Sequence, residues 1–323
     1  MSETSVVSRI KQNDALNVGV SLGFKGLSQH DPIHQRWEGF DIDLARAVAI
    51  AILGSDNKIN FVPLQSADRF QPLRDGIIDL GTFNSSVTFR REVEFGISFV
   101  HPMLFDGEVL MTSRSNLAEA IPKAQFTRHR RIAAMRGSTT EENLIRYFTA
   151  LNLSCEIIQF DSPQQARQAY QNGECEIYCL DSYLLAGEHV QLSESEQHLI
   201  LDDRISLEAM APAVTAEDPQ WRTAVCWIMR ALIEAENLGL DRLNINEKSR
   251  DPFGYLRTFL CPDALICQQL GLQPDFIRNI ISRTGNYGDI FERHLGKYSL
   301  LKQPRRDNKI WAAGGMLWSP LFI

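Results

Sequence analysis

The sequence predicts an α/β protein made of two open lobes, and three observations support this fold class. One segment of the chain alternates strand and helix in the order β-α-β-α-β, and a later segment repeats the same plan. An extended stretch follows each segment, and the two stretches predict crossovers between the lobes. The length of 323 residues also suits two domains better than one small domain.

The first segment holds three apolar runs that predict strands, which are ALNVGVS, KINFVPL and IIDLGTF. The stretches FDIDLARAVAIAIL and SADRFQPLRDG between them predict helices. Ser66 suits the start of the second helix because its hydroxyl can accept from a free backbone N–H. Gly76 suits the end of that helix, since glycine readily takes a left-handed conformation.

The second segment gives the strands RRIAAM, SCEIIQF and CEIYCL and the helices STTEENLIRYFTAL and SPQQARQAYQNG. Ser162 and Gly173 bound the shorter helix in the same way. The strands of both segments are nearly continuously apolar, which is typical of strands buried on both faces. We therefore expect parallel sheets covered by helices.

The order of the segments predicts how the chain divides between the lobes. We expect residues 1–112 and 213–323 to form lobe 1 and residues 113–212 to form lobe 2. PMLFDGEVLMTSRSNLAEAIPKAQFTRH, which contains the apolar strand EVLMTS, and ISLEAMAPAVTAEDPQW are the predicted crossovers of a two-strand hinge, and a long helical tail follows. Because open α/β sheets bind ligands outside the carboxyl ends of their strands, a ligand cleft is expected between the lobes.

Composition and charge exclude several classes of partner. The net charge of −7 and the pI of about 5.6 argue against a nucleic-acid partner. No apolar run approaches the ~18–20 residues of a membrane helix, so we expect no membrane insertion. The opening residues, MSETSVVSRIKQND, lack the features of a signal peptide, which leaves a cytoplasmic protein or a removed signal as alternatives.

The six cysteines are too sparse for a disulfide framework, although one disulfide is compatible with export. Their spacings are not those of metal ligands, so we expect no metal and no cofactor.

Polar residues follow the apolar strands where the cleft is expected. Asn84, Ser86 and Arg91 come after the third strand of the first segment, in the stretch NSSVTFRREVEF. Asp181 comes directly after the third strand of the second segment. An arginine at such a position favours a carboxylate, because its planar fork binds two oxygens. Asp181 favours a cation.

The turn RGSTTEE, after the first strand of the second segment, predicts a helix start with a capping box from Ser138 to Glu141. The free backbone N–H groups of that helix would point into the cleft and add to its attraction for an anion. An anion site and a cation site in one cleft describe a zwitterion, and an α-amino acid is the obvious ligand.

With these residues in place, the chain resembles the extracytoplasmic amino-acid-binding proteins of ABC importers, and within them the general L-amino-acid-binding branch. The resemblance implies the two-lobed periplasmic-binding-protein fold. It extends over nearly the whole chain from Asn17 onward, and the matching stretches are GFDIDLARAVA, FVPLQSADRFQPLRDGIIDL, NSSVTFRRE, RGSTTEENL, ARQAYQNGECEIYCLD, RNIISRTGNYGDIFERHLG and AAGGMLWSP.

The resemblance implies a role for each cleft residue. Arg91 would grip the α-carboxylate with help from Ser86 and Thr139, Asp181 would bind the α-ammonium, and Asn84 would line the same wall. The positions expected near the ligand side chain are those of Ser21, Phe24 and Arg69. The resemblance further implies a periplasmic monomer that delivers its ligand to an ABC permease.

Four residues depart from the pattern of the similar proteins. Val87 stands where tryptophan is common, and Cys179 stands where threonine is common. Arg136 replaces a small or uncharged residue, and Lys25 replaces a proline. Together these changes predict an altered ligand, either acidic or larger than usual.

Two other functions remain open at this point. Similar folds serve as dehydratases of prephenate-like acids, and a desolvated Glu108 or Glu141 could act as the acid of such an enzyme. A soluble amino-acid sensor module would have the same cleft.

Overall fold

Two five-stranded sheets organise residues 5–118 and 130–323, the part of the chain that the computed structural model describes. The strands are β1 Leu16–Ser21, β2 Gln29–Asp31, β3 Arg36–Glu38, β4 Ile59–Leu64, β5 Leu80–Thr82, β6 Ile97–Phe99, β7 Leu104–Asp106, β8 Glu108–Ser113, β9 Arg131–Met135, β10 Glu156–Phe160, β11 Ile177–Asp181, β12 His198–Ile200, β13 Glu208–Met210 and β14 Ala213–Thr215.

The α-helices are α1 Val6–Asn13, α2 Phe40–Leu53, α3 Gln71–Arg74, α4 Phe89–Phe95, α5 Arg114–Ala118, α6 Thr140–Ala150, α7 Pro163–Gln171, α8 Ser182–His189, α9 Pro219–Asn237, α10 Ile245–Lys248, α11 Gly254–Leu260, α12 Ala264–Leu270, α13 Phe276–Thr284 and α14 Tyr287–His294. Short 3₁₀ turns span Ser66–Asp68, Ser195–Gln197, Arg306–Asn308 and Trp311–Ala313.

The two sheets share one topology. The first has the strand order β4-β1-β5-β14-β6, and the second has the order β10-β9-β11-β8-β12. In each sheet the first three strands are parallel, as the repeated plan predicts. The fourth strand runs antiparallel to its neighbours, so both sheets are mixed rather than parallel throughout. The difference arises because β8 and β14 enter their sheets directly from a crossover and run back along them.

Each predicted crossover stretch contains a hinge strand, but the apolar strand EVLMTS is not one of them. This stretch is β8, which pairs with β11 and β12 inside the second sheet. The chain crosses instead through β7 and β13, which pair antiparallel with each other. The ladder of β11 provided an unpaired edge that a six-residue apolar strand could fill. The exact division of the lobes at residues 112 and 213 stays a prediction.

Helix α2 shows how the sequence builds the core of lobe 1. It is apolar on nearly every face, and a helix of this kind is stable only when it is covered on all sides. Its residues from Phe40 to Ile52 are buried except Arg46. The helix ends at Gly54, which has a left-handed φ of 67°.

The predicted helix boundaries are partly confirmed. Gly76 and Gly173 both have positive φ, at 67° and 75°. The Ser162 hydroxyl accepts from the backbone N–H of Gln165 and caps α7. Ser66 does not act as a cap, because its segment forms a short 3₁₀ turn whose preceding residue makes no side-chain hydrogen bond.

The C-terminal tail packs on lobe 1 and then reaches the hinge. We call residues 304–308 the C-terminal clasp. Asn308 accepts from the backbone N–H of Phe105 at 2.6 Å and donates to its carbonyl at 2.8 Å, which fixes strand β7. The Tyr183 hydroxyl of α8 donates to the Pro304 carbonyl at 3.0 Å. The clasp therefore connects the tail of lobe 1, the hinge and lobe 2.

Arg305 anchors this clasp. Its guanidinium donates to both oxygens of Glu236 in α9, at 2.5 and 2.9 Å, and lies over the ring of Tyr287.

All six cysteines are free thiols, so the disulfide that export would permit is not formed. Among the described helices, none is both long and apolar enough to cross a bilayer.

Candidate functional site

The lobes contact each other across the cleft at two glycines. A Cβ on Gly137, which follows β9, would lie 2.8 Å from the Cα of Ala67 in lobe 1. A Cβ on Gly187 in α8 would lie 2.8 Å from the carbonyl oxygen of Lys25. Such close approach is open only to residues without a side chain. The structure is therefore a closed form of the two-lobed fold.

A small cavity lies between the lobes at the carboxyl ends of the strands. Its volume is about 30 Å³, far below the ~300 Å³ at the lower end of ligand pockets. An amino acid therefore needs the lobes to part before it can enter. The lining consists of residues from both lobes: Phe24, Ser66, Arg69, Asn84, Ser85, Ser86, Arg91, Met135, Ser138, Thr139, Thr140, Leu180, Asp181 and Leu184.

Eight of the nine residues predicted from the sequence line this cavity. The ninth, Ser21, is fully buried directly behind it. Its hydroxyl donates to the side-chain oxygen of Asn84 at 2.5 Å and so supports a residue of the wall. The structure thus brings the predicted set together, while the binding role of each residue stays a prediction.

Arg91 is held in lobe 1 by the start of helix α4. The Thr88 hydroxyl accepts from the backbone N–H of Arg91 at 3.2 Å and caps the helix. The guanidinium donates to the Ser86 carbonyl at 2.8 Å and lies over the Phe70 ring. Burial lowers the pKa of Arg91. No carboxylate of the described chain forms an ion pair with this guanidinium, so it can accept an anion from outside.

Arg69 is a second cation of the same wall, but its hydrogen bonds hold the wall together. It is only 5% exposed and donates to the Phe83 carbonyl at 2.7 Å and to the Ser21 hydroxyl at 2.9 Å. Burial and the nearby Arg91 lower the pKa of Arg69 to about 9. Its guanidinium therefore ties Phe83, just after β5, to the end of β1 and adds positive charge to the cavity wall.

The start of α6 forms part of the opposite wall. The predicted capping box was wrong: Thr139 is the N-cap residue, and its side chain makes no capping hydrogen bond. The Ser138 hydroxyl instead accepts from the Thr140 backbone N–H at 3.3 Å. Glu141 accepts from the Gln159 amide of the neighbouring strand, which draws its carboxylate away from the helix start.

Asp181 lies at the end of β11 and is 9% exposed. Its Oδ1 atom is buried and has no hydrogen-bond partner in the described chain. Burial raises the pKa of Asp181 well above its ordinary value, and the nearby Glu208 and Glu108 raise it further. A cation brought next to this carboxyl would relieve both effects.

Glu208 and Glu108 do not line the cavity but lie next to Asp181, and the sequence analysis missed Glu208 and considered Glu108 only as an acid catalyst. Glu208, on hinge strand β13, accepts from the Thr139 hydroxyl at 2.9 Å and from the Asn143 amide at 2.6 Å. Each of Glu108, Asp181 and Glu208 offers an oxygen within 4.8 Å of the other two. A glutamate in the apolar stretch SLEAMA of a crossover was the available signal. Such a set of oxygens could hold a metal ion or an organic cation.

The four departures from the family pattern lie outside the cavity lining. Arg136 is exposed and pairs with Asp161 at 2.7 Å. Val87 is 39% exposed, and Cys179 is buried in the apolar core of lobe 2. Lys25 approaches Gly187 through its backbone. The predicted change of ligand therefore gains no support from these residues.

Comparisons with known proteins agree with this fold and cleft. Residues 16–239 match the family of bacterial extracellular solute-binding proteins, family 3. The chain is 33% identical over 322 residues to the general L-amino acid-binding periplasmic protein of Rhizobium johnstonii, covering 99% of this chain and 93% of that protein. It is 30% identical to the glutamate/glutamine/aspartate/asparagine-binding protein of Rhodobacter capsulatus, covering 99% of this chain and 94% of that protein.

Solved structures show the same architecture. A periplasmic binding protein from Brucella ovis with glutathione bound superposes with a TM-score of 0.94 at 32% identity, covering 99% of both chains. The solute receptor for L-cysteine of Neisseria gonorrhoeae shares the fold at a TM-score of 0.62 and 21% identity, over 72% of this chain and 90% of that one. The chain thus has the two-lobed periplasmic-binding-protein fold and belongs to the bacterial extracellular solute-binding proteins, family 3.

Proposed function

We propose that this protein binds a free L-α-amino acid in the cleft between its lobes and closes around it for delivery to an ABC-type importer. One observation carries the proposal. Arg91 and Asp181 line the same small cavity, and neither has an ion-pair partner in the part of the chain that is described. A zwitterion supplies both missing charges. The amino-acid-binding names of the most similar relatives support the same ligand class.

Each end of the ligand has its own set of groups. The Arg91 fork binds the two carboxylate oxygens, and Ser86 and the backbone N–H of Thr139 add donors beside it. Asp181 binds the α-ammonium from lobe 2. Because the contacts come from both lobes, the ligand binds the closed form more tightly than the open form and shifts the population towards it.

The setting is a second part of the proposal. We place the protein in the periplasm as a monomer that presents its closed form to a membrane permease. The periplasmic relatives and the binding protein with bound glutathione support this setting. Size-exclusion chromatography with light scattering would test the monomer, and fractionation of cells that express the natural gene would test the location.

A melting-temperature screen of refolded protein tests the ligand class. Refolding removes carried-over ligand, and the probes are the common L-amino acids, their D forms and several keto acids, prephenate included. A ligand at about 1,000 times its dissociation constant stabilises the folded state by roughly 4 kcal/mol. A shift with one or more L-amino acids supports the proposal. Silence towards all of them overturns it.

Two site variants test the proposed contacts. Arg91→Ala removes one partner of a buried charge pair, which costs roughly 2–5 kcal/mol, or about 30- to 4,000-fold in affinity. The matched control is Arg90→Ala, because Arg90 is exposed and its surface ion pairs contribute little. Asp181→Asn should weaken α-amino acids and spare their des-amino analogues. Affinity within threefold of wild type in Arg91→Ala would contradict the zwitterion site.

Catalysis on a keto acid is the second candidate function, and Glu108 is the observation that favours it. Burial and the neighbouring Glu208 raise the pKa of Glu108 to about 7, where a carboxylic acid can donate a proton at neutral pH. A melting shift or a product with prephenate, and none with amino acids, would favour this function.

A further inference from the structure

Two acidic residues lie directly opposite each other beside the cleft, where Asp181 lines the cavity and Glu108 is fully buried outside its lining. Glu108 and Asp181 are register partners on the antiparallel strands β8 and β11, so their side chains leave the sheet on the same face. Like charges in this arrangement destabilise a strand pair. Glu208 adds a third carboxyl from the hinge strand β13. No lysine or arginine of the described residues forms an ion pair with any of the three.

The spacing of the three carboxyls matches one kind of cation. Their oxygens lie within 4.8 Å of one another, so a single point lies within about 2.8 Å of all three. Charge-assisted N–H···O hydrogen bonds have lengths of ~2.7–2.9 Å. A primary ammonium carries three N–H donors and no acceptor, which gives one donor for each carboxyl.

The three groups differ in what already holds them. The Asn143 Nδ2 group donates to both carboxyl oxygens of Glu108 at 2.8 Å, and Glu208 accepts from Asn143 and from the Thr139 hydroxyl. These neutral donors hold the two glutamates in place. Asp181, in contrast, is nine-tenths buried, and its Oδ1 has no partner. An unpaired buried oxygen beside two fixed carboxyls points to a donor that arrives with the ligand.

We propose that Glu108, Glu208 and Asp181 together bind the primary ammonium group of the ligand, with one N–H donor to each carboxyl. The inference rests on the proposed function and adds two specificity residues to Asp181. It follows that the site selects primary amines. An N-methyl group removes a donor and leaves a buried carboxyl unpaired, which costs far more than the loss of a methyl-sized contact.

Glutamine substitutions test the inference, because they remove one charge and preserve the shape of the side chain. The twenty common L-amino acids serve as probes in calorimetry, and each one that binds is paired with its des-amino acid and its N-methyl derivative. We expect Glu208→Gln and Glu108→Gln each to weaken the amino acid at least tenfold and to change the des-amino acid less than threefold. Wild type should bind the N-methyl derivative at least tenfold more weakly than the parent.

The control is Glu142→Gln, an exposed carboxylate of the same lobe, which should change neither ligand. Amino-acid binding by wild type that is unchanged in both glutamine variants overturns this inference and leaves the proposed function standing. Equal losses for the amino acid and its des-amino acid overturn it too, since they show a hinge-supporting role. A chelator-sensitive melting shift with Ca²⁺ that disappears in Glu208→Gln would also overturn it. Silence of wild type towards every amino acid overturns both proposals.

Discussion

The contact between Gly187 and Lys25 predicts that one added methyl group can raise the stability of lobe 2 and lower the affinity for the ligand. Gly187 lies in the middle of helix α8, and the new Cβ of Gly187→Ala would meet the Lys25 carbonyl oxygen at 2.8 Å in the closed form. Ordinary contact begins near 3.4 Å, so the lobes must separate there by about 0.6 Å. The open form has no such contact, so the clash acts on closure alone.

The two effects have opposite signs. Alanine in a helix interior is more favourable than glycine by roughly 0.5–1 kcal/mol, which should stabilise lobe 2. Overpacking of a closed contact costs about 1–3 kcal/mol. Since ~1.4 kcal/mol is a factor of ten, the amino acid should bind about 5- to 150-fold more weakly to Gly187→Ala.

Calorimetry would measure the affinity, denaturant unfolding without ligand would measure the stability, and X-ray scattering would measure closure with saturating ligand. The control is Gly173→Ala, because Gly173 has a φ of +75° and an added Cβ would have no atom within 4 Å, so only backbone strain is added. That variant should lose stability by about 1 kcal/mol and keep its affinity. An affinity of Gly187→Ala within threefold of wild type would refute the steric argument.

Two further predictions concern stability. Because the pKa of Glu108 is raised to about 7 in the folded state from its ordinary 4.5, its stabilising contribution is full below about pH 4.5 and is lost as the pH rises through about 7. Denaturant unfolding at pH 5 and pH 8 should show this decline in wild type and a smaller one in Glu108→Gln. The Arg305 and Glu236 side chains are only 14% and 16% exposed, so Glu236→Gln leaves a poorly paired cation and should lower the free energy of unfolding by about 3 kcal/mol. A loss below about 1 kcal/mol by chemical denaturation would contradict this.

Local patterns were sufficient to predict the repeated plan and the place of the cleft. Apolar runs of strand length identify buried strands, and the polar residues that follow them must lie at one edge of a parallel sheet. Arg91 and Asp181 could therefore be assigned to the same cavity although they lie in different lobes. Neither assignment needed knowledge of which strands pair.

Strand partners and side-chain partners could not be predicted in this way. The apolar pattern of EVLMTS predicts a strand but not that its neighbour is β11, because pairing depends on edges that other parts of the chain create. Glu141 fits a capping box by spacing, yet the Gln159 amide of the adjacent strand is a competing partner. Glu208 was missed because an acid in a hinge strand becomes meaningful only when Glu108 and Asp181 are seen beside it.

The position of β14 has a consequence for how the protein is made on the ribosome. This strand lies between β5 and β6 in the sheet of lobe 1, although more than 100 residues separate it from them in the chain. Lobe 2 is continuous and can fold as soon as its own strands have emerged. The sheet of lobe 1 must wait with an unfilled gap until Ala213–Thr215 is synthesised, and during that interval β5 and β6 expose unpaired edges. The nascent chain is therefore most prone to aggregation after lobe 2 has folded and before its return strand arrives.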